Sequence, residues 1–227
     1  MKLLCLSTAE PGCSLAIIDG DSLVCEEFWE ARLTHSKRLV KMIEHMLEKR
    51  ACMELFDIDA FVAARGPGSF TGLRIGISVV KGLAYAMEKP VMGVSSLDGI
   101  AFRFVHSSIP VCVMMDAKRN EVYCAVYQFD HGRLVSKTRE RVVSPEDAIE
   151  MTNGATLFAG SGSKVFKDII EHKADNPTLA HDFLDSISAT ALVQSLYLKE
   201  NFLNEPENIL TPSYLRQSDA QLQFAKK

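Results

Sequence analysis

The sequence has 227 residues, of which 47% are hydrophobic and 24% are charged, and its formal net charge is −4. This length fits one large domain or two small ones, and the composition is that of an ordinary globular protein. Because nucleic-acid binders usually carry a basic excess, the net negative charge argues against binding of RNA or DNA by this chain alone.

Six cysteines are scattered without any Cys-x-x-Cys pair, mostly in apolar stretches where free cysteine behaves as a small hydrophobic residue. The chain passes from Met1-Lys2 directly into a short strand, so no signal peptide is predicted. No apolar run approaches the ~20 residues that span a bilayer. We therefore expect reduced thiols, a cytoplasmic location and no membrane association.

The first half of the chain predicts three strands and then alternating helices and strands. Turn residues separate three apolar runs, which indicates a meander over 3–6, 14–18 and 22–29. A helix capped by Thr34 or Ser36 is expected to reach about Arg50. Strands at 61–64 and 91–94 then flank a long helix, and a further helix ends near Phe104.

The long helix covers residues 69–88. It follows Gly66-Pro67-Gly68, which can continue neither a strand nor a helix, and it begins at the N-cap Ser69. A helical wheel gives two apolar stripes where a surface helix usually has one. The first stripe contains Leu73, Ile77, Val80, Ala84 and Met87, and the second contains Gly72, Ile75, Gly76, Val79, Leu83 and Ala86. Two stripes indicate two neighbours: the chain's own sheet and another helix, for which a second chain is the first candidate.

The same pattern begins again at Pro110. A second meander is predicted over 111–115, 122–129 and 134–137, and a helix then starts at Ser144-Pro145. A strand at 156–159, a helix at 165–172 and a last helix at 188–203 complete the order. The repeated order predicts a duplicated α/β fold with lobes over 1–107 and 108–227.

Four blocks of the sequence resemble the bacterial TsaB (YeaZ) family. They are Cys13-Ser14-Leu15-Ala16, the run from Arg65 to Gly76 continuing to 93–97, the run from Met115 to Tyr123, and Pro212-Ser213-Tyr214-Leu215-Arg216. The blocks sample the chain from end to end. The resemblance implies two actin-like (ASKHA, ribonuclease-H-like) lobes, each with a mixed sheet.

The resemblance also implies a role in making threonylcarbamoyladenosine at position 37 of ANN-decoding tRNAs. In that family the chemistry belongs to a paralogous transferase, TsaD, which pairs with TsaB through N-lobe helices, and a small ATPase, TsaE, joins them. We therefore expect tRNA contact only through the complex, and a homodimer when the partner is absent. The expected partner interface comprises Leu39, Met42, Ile43, Met46, Leu73, Ile77, Val80, Ala84 and Met87.

No catalytic, metal or cofactor site is predicted. Leu39 stands four positions after His35, where the resemblance implies that the partner family has a second histidine, and His-Glu-x-x-His is absent. The glycine-rich turn fails the P-loop spacing, so Gly66, Gly68 and Ser69 are interpreted as a structural turn.

Two features bear on nucleotide binding. Ser7 stands where the resemblance implies an aspartate, and a neutral hydroxyl cannot hold a metal–water shell as a carboxylate can. Gly160 and Gly162 remain nucleotide candidates in the second lobe.

Two alternative functions stay open. Fold analogy alone suggests an ATP-using phosphotransferase or hydrolase, and an older glycoprotease label suggests a metalloprotease, which would hold a metal. The sequence also leaves open which stripe of the long helix faces outward.

Overall fold

The computed structural model describes residues 1–30, 38–197 and 210–216. The first sheet has the strand order β3-β2-β1-β4-β5, in which β1–β3 are antiparallel neighbours and β4 and β5 continue parallel to β1. Its strands are β1 (Lys2–Ser7), β2 (Gly12–Asp19), β3 (Ser22–Glu30), β4 (Ala60–Gly66) and β5 (Val91–Ser95). The predicted meander is confirmed.

The helices of the first half connect these strands. They are α1 (Leu39–His45), which continues as a π-helical turn (Met46–Ala51), a 3-10 turn (Leu55–Asp57), α2 (Phe70–Met87), and α3 (Asp98–Ala101) with a 3-10 turn (Phe102–Phe104). The hydroxyl of Ser69 accepts the Gly72 amide at 3.2 Å, which confirms the predicted N-cap of α2. The predicted caps Thr34 and Ser36, and also His35, lie outside the described residues.

The second sheet repeats the first. Its order is β11-β10-β6-β7-β8, with β9 paired to β7. As in the first sheet, three antiparallel strands (β6–β8) form a meander, and a parallel strand, β10, pairs with the other edge of β6. The strands are β6 (Val111–Asp116), β7 (Val122–Asp130), β8 (Arg133–Lys137), β9 (Arg141–Val143), β10 (Thr156–Ala159) and β11 (Pro177–Leu179). The predicted duplication of two mixed-sheet lobes is confirmed, whereas the three-residue strands β9 and β11 were too short to predict.

The second half contains four helices among its described residues. They are α4 (Pro145–Glu150), α5 (Ser161–Val165), α6 (Lys167–Lys173) and α7 (Ala189–Tyr197), with a 3-10 turn (Asp182–Leu184) before α7. The Ser144 hydroxyl caps α4 by accepting the Asp147 amide at 3.1 Å. The predicted extension of α7 to residue 203 falls on residues that the structure does not describe.

One hydrophobic core runs through both halves of the chain. It joins side chains of the first sheet, such as Leu4 and Phe61, to Tyr127 and Phe129 of the second sheet and Leu192 of α7. Although α7 belongs to the second half of the sequence, it packs on β1, β2, β4 and β5. A boundary at 107/108 therefore separates the two sheets but not their helices, and the existence of two independent domains stays a prediction.

Across the described ranges, no helix is both long enough and apolar enough to cross a membrane.

Candidate functional site

A cleft of about 670 Å³ lies between the two lobes. Side chains from the turn after β1, from β3, and from the start of α5 and the segment before α7 line it. Its charged residues are the carboxylates of Glu10, Glu26, Glu30, Asp182 and Asp185 and the cations of Arg103 and Lys164. The excess of negative charge disfavours a polyphosphate in this cleft.

Glu10 connects the two lobes across the cleft. Ser161 Oγ donates to Glu10 Oε1 at 2.6 Å, and the backbone N–H of Asp116 donates to the same Ser161 Oγ at 3.1 Å. Burial raises the pKa of the Glu10 carboxyl, the hydrogen bond from Ser161 acts to lower it, and nearby Asp185 raises it again. This pair is a direct contact between the first lobe and the start of α5.

Asp185 holds the backbone at the end of β10. Its Oδ1 accepts the Gly160 amide at 2.8 Å, and its side chain is buried. Burial raises the pKa of Asp185 to about 6, although the Gly160 hydrogen bond and Arg103 act in the opposite direction. Burial therefore moves the pKa at which this carboxyl changes charge up to about 6.

The cleft hydroxyls serve structural hydrogen bonds. Ser188 Oγ donates to Glu26 Oε1 at 2.7 Å and accepts the Ala191 amide at 3.1 Å, which caps α7. Ser14 Oγ accepts the Ala189 amide at 2.9 Å. No histidine or cysteine is among the described residues that line the cleft, and the described ranges contain no group of three metal-ligating side chains.

Backbone of the same chain fills the glycine-rich start of α2. The Ser69 amide donates to the Ala9 carbonyl at 2.7 Å, and a Cβ at Gly68 would lie 2.5 Å from that oxygen. The Cβ of an alanine at Gly72 would overlap the carbonyl of Thr8. An anion would need the space and the amide that this turn occupies, which supports the interpretation of Gly66, Gly68 and Ser69 as a structural turn.

The first stripe of α2 faces the chain's own core. Seven of the nine predicted interface side chains are at most 5% exposed, namely Leu39, Ile43, Met46, Leu73, Ile77, Val80 and Ala84. The assignment of these seven to a partner surface is therefore wrong, because they already pack within this chain. Only Met42 and Met87 of the set are partly exposed.

The second stripe of α2 is the one that reaches the surface. Ile75, Val79 and Leu83 are half-buried, and Gly82 and Ala86 beside them are exposed. These five residues form what we call the outer face of α2. A Cβ at Gly82 would meet nothing within 4 Å, whereas those of Gly72 and Gly76 would overlap Thr8. Packing within the chain therefore does not explain why residue 82 of this helix is glycine.

The nucleotide candidates in the second lobe are buried. A Cβ at Gly160 would lie 2.5 Å from the Met114 carbonyl oxygen, and one at Gly162 would lie 2.9 Å from it. Both glycines therefore let α5 pack against β6, which is a structural reason for glycine at these positions, and their assignment to nucleotide contact stays a prediction.

Sequence reasoning missed the cleft carboxylates and the close contact between the β1–β2 turn and α2. Glu10 and Ser161 are 151 positions apart, and Thr8 and Gly72 are 64 apart. The only sequence signal for the second contact was the pair of glycines on one face of the helical wheel. It indicated a close approach but not which segment makes it.

Sequence comparisons identify relatives over most of the chain. Residues 29–224 match the family model described as "TsaD: tRNA N6-adenosine threonylcarbamoyltransferase". The chain is 30% identical to the tRNA threonylcarbamoyladenosine biosynthesis protein TsaB of Haemophilus influenzae, over 95% of this chain and 94% of that protein. It is 34% identical to Escherichia coli TsaB, over 74% of this chain and 75% of that protein.

Solved structures agree with the sequence comparisons. YeaZ from Pseudomonas aeruginosa superposes with a TM-score of 0.78 at 30% identity, covering 94% of this chain and 99% of that one. The ethanolamine utilization protein EutJ from Carboxydothermus hydrogenoformans superposes with a TM-score of 0.50 at 10% identity, over 85% and 90% of the two chains. The second likeness concerns the fold alone.

Proposed function

The chain belongs to the TsaB family, and on this premise we propose that it is a non-catalytic subunit of the complex that forms N6-threonylcarbamoyladenosine at position 37 of ANN-decoding tRNAs. In this proposal it dimerises with a TsaD-like catalytic paralogue, and a TsaE-like ATPase joins them. The tRNA is reached only through the complex. Without the paralogue, two copies of this chain pair through the same surface.

The outer face of α2 is the observation that carries the proposal. Half-buried Ile75, Val79 and Leu83 border exposed Gly82, so a second helix can approach the α2 backbone closely there. A helix glycine costs about 1 kcal/mol relative to alanine, and contact with a partner would offset that cost. An interface of standard size buries about 800 Å² on each partner. The outer face of α2 can supply only part of this area, so neighbouring elements must supply the rest.

The interlobe cleft supports a role without chemistry of its own. Among the described residues, Ser7 is buried in the cleft wall, and the amide of Ser69 is already bonded to Ala9. These features disfavour the metal–triphosphate complex that an actin-like phosphotransferase requires.

Calorimetry separates this proposal from the ATP-using alternative. Titration of the isolated chain with ATP and magnesium should give no binding in the micromolar range, because buried Ser7 offers no carboxylate for the metal and the start of α2 is occupied. Micromolar binding accompanied by turnover would overturn the non-catalytic role.

Co-expression with the TsaD-like paralogue, followed by size exclusion with light scattering, tests the interface. Leu83→Arg puts a charge on the outer face of α2 and should abolish the heterodimer, while the monomer stays folded because Leu83 is only half-buried. The matched control is Val135→Arg on β8, where the side chain is 62% exposed in the other lobe. It should leave the complex intact.

A heterodimer that survives Leu83→Arg would contradict the assigned surface. If no complex forms with the unaltered chain, the subunit role itself is wrong.

A further inference from the structure

The last described segment, residues 210–216, crosses from the first lobe to the second, and we call it the strap. Leu210 is buried in the shared core. The Ser213 amide donates to the Arg65 carbonyl at 2.7 Å. The Ser213 carbonyl lies so close to Gly66 that a Cβ there would come within 2.5 Å of its oxygen. The strap therefore begins against the end of β4.

The middle of the strap is attached to the first turn of α2. The rings of Tyr214 and Phe70 have centroids 4.9 Å apart. Arg74 Nε donates to the Tyr214 hydroxyl at 3.3 Å, and the Arg74 guanidinium lies 3.8 Å from the centroid of the Phe70 ring. Phe70 and Arg74 are one helical turn apart, so their side chains are neighbours on α2 and both contact Tyr214.

The end of the strap is attached to the β6–β7 hairpin. Arg216 Nη1 donates to the Ala117 carbonyl at 2.8 Å, and the same guanidinium forms an ion pair with Glu121. Ala117 and Glu121 close the hairpin, since the Ala117 amide donates to the Glu121 carbonyl at 2.9 Å. The Arg216 side chain is only 18% exposed, whereas that of Glu121 is 40% exposed, so the guanidinium is the buried member of this pair.

We propose that the strap is a clasp that couples the two lobes by tying the first turn of α2 to the β6–β7 hairpin. Its two attachments, Tyr214 and Arg216, are only two residues apart, so the release of either one loosens the restraint on the other. The coupling rests on contacts within the chain and does not depend on any partner.

Amide hydrogen exchange of the full chain, resolved by NMR, tests the clasp through cross effects. Arg216→Ala removes the hairpin attachment and should speed exchange at Leu73 and Arg74 in α2 by roughly tenfold or more. Tyr214→Ala removes the helix attachment and should speed exchange at Ala117 and Glu121 by a similar factor.

Arg133→Ala is the matched control, because it removes an exposed arginine from β8 without touching the strap. It should change none of these rates. If each strap variant speeds exchange only at its own attachment, the clasp is overturned and the contacts are merely local.

A uniform rise in exchange through β1 and β6 would indicate general destabilisation. The milder variants Arg216→Lys and Tyr214→Phe then decide the question, because each weakens one attachment and keeps most of the side chain. Each milder variant should also speed amide exchange at the opposite attachment, by a smaller factor. Their absence would overturn the proposal.

Discussion

The Thr8 hydroxyl donates to the Gly72 carbonyl at 2.7 Å, so the turn after β1 rests directly on the backbone of α2. The Thr8 carbonyl stands where a Cβ at Gly72 would lie, so this packing requires glycine there, and it divides the glycines of α2 into two kinds. Gly72 and Gly76 face Thr8, whereas Gly82 faces open space.

Gly72→Ala and Gly82→Ala should have opposite effects on the free energy of unfolding. At Gly72 the new methyl group would overlap the Thr8 carbonyl, so we expect a loss of about 3 kcal/mol. At Gly82 the methyl group enters open space, so we expect a gain of about 1 kcal/mol from helix propensity. Urea unfolding of the two variants checks this, and equal stabilities would contradict the division.

The size of the residue at Gly82 should control association through the outer face of α2. Gly82→Phe leaves the monomer folded, because nothing lies within 4 Å of the new Cβ. It should weaken binding to the TsaD-like paralogue at least about tenfold, because a ring would separate the two helices. Titration by light scattering or calorimetry measures the change, with Val135→Phe as the matched control. Unchanged affinity would place the partner elsewhere.

Asp185 should make stability depend on pH between about 4 and 6. Its pKa is raised by burial from 3.8 to about 6 in the folded chain, so the folded state holds the proton more tightly than the unfolded state. The stabilisation is fully present below pH 3.8 and is lost as the pH rises through about 6.

Asp185→Asn removes this dependence and can still accept the Gly160 amide. At pH 7.5 the variant should therefore be more stable than the unaltered chain, by at most about 3 kcal/mol, and the advantage should shrink towards pH 4. Urea unfolding of both proteins across this range gives the difference. Asp185 also raises the pKa of Glu10, so the variant weakens the pH dependence that Glu10 contributes as well, and the two effects have the same sign. A difference that stays constant with pH would contradict the role given to Asp185.

Lys137 should be essential to the polar contacts between β8 and the first lobe. Its Nζ lies 2.6 Å from Asp98 Oδ1 and 2.7 Å from Glu140 Oε1, and the Tyr127 hydroxyl donates to the same Asp98 oxygen at 2.8 Å. Burial acts to lower the pKa of Lys137, but the two carboxylates outweigh it and raise the pKa.

Lys137→Ala leaves those two carboxylates half-buried without their cation, so we expect a loss of about 3 kcal/mol in the free energy of unfolding. Thermal and urea unfolding check the loss. Arg133→Ala on the same strand is the control and should cost less than about 0.5 kcal/mol. Similar losses in both variants would show that Lys137 contributes no more than an exposed cation.

Local sequence patterns determined the order of elements, the two meanders, the N-caps Ser69 and Ser144, and the family resemblance. These features depend on neighbours in the chain: apolar periodicity, turn residues and side chains that bond to amides three positions away. They predicted the fold, because a repeated strand order permits few arrangements of the sheets.

Only the tertiary structure decided which stripe of α2 faces inward. The interface residues expected from the sequence lie mostly on the stripe that is buried in this chain, because two apolar stripes look alike until the position of the sheet is known. The roles of Gly72 and Gly82, the Glu10–Ser161 contact and the strap were equally hidden. All but that of Gly82 depend on residues far apart in the chain, such as Arg216 and Ala117, which are 99 positions apart. A local sequence pattern cannot show which distant backbone will lie beside a given residue, or that none will, as at Gly82.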